Sequence, residues 1–129
     1  DRNMRYHYYE PNPVRTGAGD CVVRAICKAE NKDWETIYMD LSVEGMSLGE
    51  LSNSNMVWDS YLRRQGYKRY AIPNTCPDCF TVGQFADTYP VGTYILGTGT
   101  HAVTVQDGVI YDSYDSSNKI PLYYYFKGE

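Results

Sequence analysis

Cys21 follows the loop Gly17-Ala18-Gly19-Asp20 and opens a stretch with helical spacing, while His101, eighty positions later, opens a stretch of strand-like alternation. A thiol is a nucleophile only as the thiolate, and a helix N-terminus and a neighbouring cation both favour that form. Cys21 sits where unpaired backbone N–H groups could also receive an oxyanion. Arg24, three residues on, puts a cation on roughly the same helix face. Asp20 works the other way, because its carboxylate raises the thiol pKa if it points at the sulfur. A distant histidine would supply the base. Each residue also has a plainer explanation: Cys21 as a small apolar residue at a helix start, His101 as a hydrogen-bonded strand histidine.

A third residue comes from register. Asp107-Gly108 lies between alternating hydrophobic residues, a two-residue hairpin signal. With Gln106 opposite Val109, the facing pairs are Val105 with Ile110, Val103 with Asp112, and His101 with Tyr114. Side chains alternate across a strand, so His101, Val103, Val105, Ile110, Asp112 and Tyr114 are expected on one face. Asp112 is then the diagonal neighbour of His101, where a carboxylate can accept the imidazole N–H, fix its tautomer and stabilise the imidazolium. Asp115 projects to the other face and replaces Asp112 only if the turn is longer.

The elements that must position these residues divide the chain in two. Residues 1–19, with Pro11 and Pro13 around Asn12, read as an extended arm and loop. Asp20 is an acceptable N-cap for a first helix over 20–30, with Val22, Val23, Ile26 and Ala29 at helical spacing. A second helix is predicted over 33–43, with Trp34, Ile37, Tyr38 and Leu41 as its stripe and Gly45 as its end. A third follows Ser52 or Asn53 and stops at Gly66. Beyond it the pattern becomes strands over 67–72, 92–98, 100–106, 109–113 and 120–126. One short helix interrupts them after Thr81 and ends before Pro90. Helices over 20–66 and strands over 67–129 predict one α+β domain, the helices packed on one face of an antiparallel sheet.

Composition excludes several classes. The chain has 129 residues, 43% hydrophobic, with fourteen tyrosines, which suits one compact core and argues against long disorder. A net charge of -4 argues against a nucleic-acid partner. The local basic cluster of Arg63, Arg64, Lys68 and Arg69 is read as a helix end with cations near its dipole. No apolar run approaches the roughly 20 residues of a membrane span, so no membrane association is expected. The first residues lack a signal-like apolar core, and the expected compartment is the cytoplasm. Cys76-Pro77-Asp78-Cys79 offers two zinc ligands where a structural site needs four, so no metal or other cofactor is expected and the pair is read as a reduced loop. Gly97-Thr98-Gly99-Thr100 lacks the helix that a phosphate loop needs and is read as a turn.

Taken together, Pro11-Asn12-Pro13, Gly19-Asp20-Cys21-x-x-Arg24-Ala25-Ile26, Pro90-x-Gly92-Thr93-Tyr94-Ile95, His101-Ala102-Val103, Asp107-Gly108 and Tyr111-Asp112-Ser113 resemble small papain-like cysteine peptidase-fold proteins of bacteria and phages. The resemblance covers most of the chain and implies a catalytic Cys21, His101 and Asp112. Such peptidases commonly carry a glutamine six residues before the cysteine for the oxyanion hole. Arg15 stands there, and Asn12, whose amide can donate, is the candidate substitute. The implied activity is cleavage of a peptide or isopeptide amide through an acyl-thioester, with a peptide or protein substrate as partner. Two alternatives stay open: acyl transfer with the same triad, and a non-catalytic module that binds a protein through its groove or Tyr-rich last strand.

Overall fold

The computed structural model describes residues 5–73 and 80–128, so the pair Cys76 and Cys79 lies outside the described residues. The elements run β1 (Tyr6–Tyr8), α1 (Cys21–Glu30), α2 (Trp34–Leu48), α3 (Asn55–Arg64), β2 (Lys68–Ala71), α4 (Val82–Thr88), β3 (Thr93–Gly97), β4 (Ala102–Gln106), β5 (Val109–Asp112) and β6 (Tyr123–Phe126). This is a mixed α+β chain built on one six-stranded sheet in the order β1-β5-β4-β3-β6-β2.

Local chemistry accounts for most boundaries. The Asp33 side chain caps α2 by accepting from the Thr36 N–H at 2.9 Å, and Thr81 and Gln84 close a reciprocal capping box on α4. α2 runs through Gly45, where the sequence predicted an end, and stops at Gly49 in the left-handed region. Gly45 has a packing role instead. A Cβ there would lie 2.7 Å from the Glu50 carbonyl oxygen, so the returning chain can approach the helix only over a glycine.

Three features of the sheet depart from the sequence reading. The N-terminal arm contributes a strand: β1 pairs with β5, Tyr6 opposite Ile110 and Tyr8 opposite Asp112. That pair is parallel, so the sheet is not wholly antiparallel. Helices also cover both faces. Ile95, Ala102 and Tyr125 pack with α1, α2 and α3, whereas Tyr94, Leu96, Val103, Val105 and Ile110 pack around Phe85 of α4. Covering on both sides is why Tyr94–Gly97 and Ala102–Val105 are buried without alternation.

The hairpin follows the register read from Asp107-Gly108. Gln106 opposes Val109 and Val105 opposes Ile110, with φ of 50° at Asp107 and 77° at Gly108, the left-handed pair a tight two-residue turn requires. Its open end therefore brings His101 to Asp112.

Gly97 sets the opposite wall of the site. It pairs with Tyr123 on β6, and a Cβ on Gly97 would stand 2.3 Å from the Tyr123 Cζ. The ring is confined in turn by Trp58, 6.2 Å away between centroids, and by the Arg69 guanidinium, 4.0 Å from the ring centroid. Gly97→Ala is expected to cost about 1–3 kcal/mol in urea unfolding, the usual range for overpacking, and to alter Trp58 fluorescence as Tyr123 is displaced. An unchanged unfolding midpoint would show that the ring moves freely.

Candidate active site

The site forms where the start of α1 meets the open end of the β4–β5 hairpin. Cys21 is the first residue of α1. Its sulfur lies near enough to the His101 side chain and the Ala102 backbone N–H for both to favour the thiolate. His101 ends the short loop between β3 and β4, which the Thr98 N–H closes onto the His101 carbonyl at 2.9 Å. The imidazole Nε2 lies 2.7 Å from Asp112 Oδ2. With Nε2 engaged there, Nδ1 is the nitrogen left to serve Cys21. Cys21, His101 and Asp112 are thus one connected chain of side chains.

Asp112 is fully buried, with 0% of its side chain exposed, and a buried carboxylate is tolerable only if its lone pairs are filled. Oδ2 accepts from Ser116 Oγ at 2.6 Å as well as from His101, while Oδ1 accepts from the Ser113 N–H at 2.7 Å and Arg24 Nε at 3.2 Å. Burial raises its pKa, but hydrogen bonds from His101 and Ser116 outweigh that, and the net shift is downward. The residue after β1 holds the same position through the backbone: the Tyr9 N–H donates to the Asp112 carbonyl at 2.8 Å.

The ionised acid acts through the imidazole. Burial pulls the His101 pKa down, yet the bonds to Asp112 and Cys21 push it to about 9. For Cys21, burial raises the pKa, and hydrogen bonds from His101 and Ala102 together with the charges of His101 and Arg24 bring it below its ordinary value. The two shifts favour the same state, a thiolate beside an imidazolium.

Arg24 connects α1, which carries Cys21, to Asp112. It is 5% exposed; its Nε donates to Asp112 and its Nη1 donates to Asp20 Oδ1 at 3.0 Å, with Glu10 3.9 Å away. Asp20 therefore turns away from the sulfur. Its other oxygen accepts from Trp34 Nε1 at 2.9 Å and Asn12 Nδ2 at 3.3 Å, and it makes no side-chain cap to α1. Here the cap role expected of Asp20 gives way to a buried network, and the N–H groups that open α1 stay free of it.

The remaining sequence candidates fall as follows. Asn12 gives its amide to Asp20, while its Oδ1 accepts from the Val14 and Arg15 N–H groups at 3.0 and 3.1 Å; Arg15 itself is exposed. Asp115 accepts from the Ser117 N–H on the surface and does not meet His101. Sequence reading did not find Ser116 or the double grip of Arg24. The spacings Asp20 to Arg24 and Asp112 to Ser116 were signals, each four residues, that only a buried site turns into partnerships.

Cys21 and His101 open into a cavity of about 420 Å³ whose walls include Trp34, Tyr38, Trp58 and Tyr123. Asn12 is not among its lining residues. No protein-family model, curated protein or solved structure matches the chain.

Removing the shared cation tests the network. Arg24→Met leaves Asp112, Asp20 and Glu10 close together without it, and should lower unfolding free energy by about 3–5 kcal/mol, as for a broken buried ion pair. Arg24→Lys keeps the charge but not the two-way fork and should fall between. Chemical denaturation of the three proteins checks the order, and equal stability of Arg24→Met and the parent would contradict it.

Proposed function

We propose that this chain is a thiol hydrolase of papain-like fold, a cysteine peptidase cleaving peptide or isopeptide amides. The observation that carries the reading is the His101 imidazole held between Cys21 and a buried Asp112 at the mouth of an open cavity. The placement of a helix-borne cysteine against strands that carry histidine and acid supports the papain-like assignment. The thiolate of Cys21 attacks the acyl carbon, and the carbonyl electron pair moves to oxygen. When the tetrahedral adduct collapses, the C–N bond breaks and the His101 imidazolium gives its proton to the departing amine. Neutral His101 then takes a proton from water as its oxygen attacks the acyl-thioester; collapse breaks the C–S bond, releases the acid and restores the Cys21 thiolate beside the His101 imidazolium. Asp112 keeps the imidazole oriented throughout.

The oxyanion falls to the backbone N–H at the start of α1, which the Asp20 side chain leaves uncapped and the helix dipole favours. The side-chain amide of Asn12 serves Asp20 instead. Peptide is the substrate class because the aromatic cavity adjoins a second one across Trp58 and Tyr123 and the net charge of -4 disfavours nucleic acid. No helix among the described residues is long and apolar enough to cross a membrane. The free thiols of Cys21 and Cys27 fit a reducing compartment such as the cytoplasm.

Alkylation reads the ion pair directly. Because the Cys21 pKa is lowered, iodoacetamide at pH 6.5 should modify Cys21, located by peptide mapping, ahead of the buried Cys27. His101→Ala should slow that reaction by at least about tenfold, one pKa unit's worth of thiolate. A peptidyl acyloxymethyl ketone should alkylate Cys21, its methylene carbon forming a thioether as the carboxylate departs, under the same dependence on His101. A Cys21 that alkylates like a free thiol in both proteins would remove the catalytic reading.

A further inference from the structure

The cavity at Cys21 does not end at Tyr123. A second cavity of about 390 Å³ shares Asn55, Trp58, Gly99 and Tyr123 with the first, and is completed by Asp59, Arg63, Arg69 and Tyr125. The two cavities adjoin across Trp58 and Tyr123, with Cys21 and His101 lining one and Arg63 and Arg69 lining the other.

The arginines differ in what they hold. Arg63 Nε pairs with Asp59 Oδ2 at 3.0 Å, and Asp59 also accepts from the Tyr125 hydroxyl through Oδ1. That carboxylate is therefore spoken for. Arg69 lies over the Tyr123 ring, 4.0 Å from its centroid, and among the described residues no carboxylate comes within ion-pair distance of it. Stacking on a ring fixes a guanidinium while leaving its N–H edge able to take an anion. β2 is exposed along its whole length, so the position has no share in the core and its charge faces solvent.

We infer that Arg69 is a specificity residue: the second cavity binds a carboxylate of the substrate chain, displaced along that chain from the bond presented to Cys21. The chemistry is a planar carboxylate against a preset guanidinium, supplied by an Asp or Glu side chain or by the chain's own C-terminus. This rests on the proposed peptidase reading for its purpose but not for its measurement, because binding needs no turnover.

The test uses the full chain carrying Cys21→Ser, immobilised, and two pools of N-acetylated random hexapeptides, one amidated and one with free C-termini. Retained peptides are sequenced by mass spectrometry. The expected result is a 3–10-fold enrichment, the scale of a partly exposed charge-assisted contact. Enrichment of Asp and Glu over Asn and Gln in the amidated pool identifies a side-chain carboxylate. Enrichment confined to the free-acid pool identifies the terminal one. Either must vanish in Arg69→Gln, persist at least in part in Arg69→Lys, and weaken in molar salt. No acidic enrichment in either pool, or enrichment that survives Arg69→Gln, overturns the inference. A Cys21 that alkylates like a free thiol in the unsubstituted chain, with acidic enrichment intact in the Cys21→Ser protein, would instead remove the peptidase reading and leave the carboxylate site standing.

Discussion

A carboxylate with no solvent exposure must be fed by donors from every side, and Asp112 imposes that demand on the whole molecule. Its donors come from three separate stretches of chain: Arg24 from α1, His101 from the β3–β4 loop, and Ser113 and Ser116 from the segment after β5. Satisfying one buried group thus draws together the start of α1, the start of β4 and the end of β5. The site is the meeting point of those elements, and its electrostatics follow: an ionised acid holds an imidazolium, which holds a thiolate.

The rest of the fold supplies rigidity around that point. α1 is keyed to the sheet by the Thr104 hydroxyl, which donates to the Ala25 carbonyl at 2.6 Å, so the helix that carries Cys21 cannot slide relative to the strand that follows His101. α4 fills the opposite face of the same strands with Val82, Phe85 and Ala86. The cavities are narrowed by aromatic rings that pack on one another, Trp58 with Tyr123 and Tyr125, instead of by loops. Preorganisation of this kind lets a small domain present charged groups without water rearranging around them.

Legibility in the sequence followed the range of the interactions. The hairpin could be read because Asp107-Gly108 specifies a turn whose length fixes every later pairing, and Asp112 was placed beside His101 on that ground alone. The first helix, its cysteine and the α+β order were legible for the same local reason. What failed was long-range. A three-residue strand such as Tyr6–Tyr8 has no periodicity to show, and its parallel partner lies a hundred residues away. Continuous burial of β3 and β4 did not reveal that α4 had crossed to the second face. Asp20 reads as a helix cap by type and position, but Arg24, Trp34 and Asn12 outbid the local backbone for its oxygens. Competition between a local partner and a buried network is decided by tertiary contacts that no spacing records.

Asp112 holds His101 protonated against Cys21. Nitrogen-edited NMR of the His101 imidazole through a pH titration tests it most directly. The midpoint is expected at about 9, falling markedly in Asp112→Asn. A midpoint at the ordinary histidine value of 6.5, unmoved by Asp112→Asn, would contradict it.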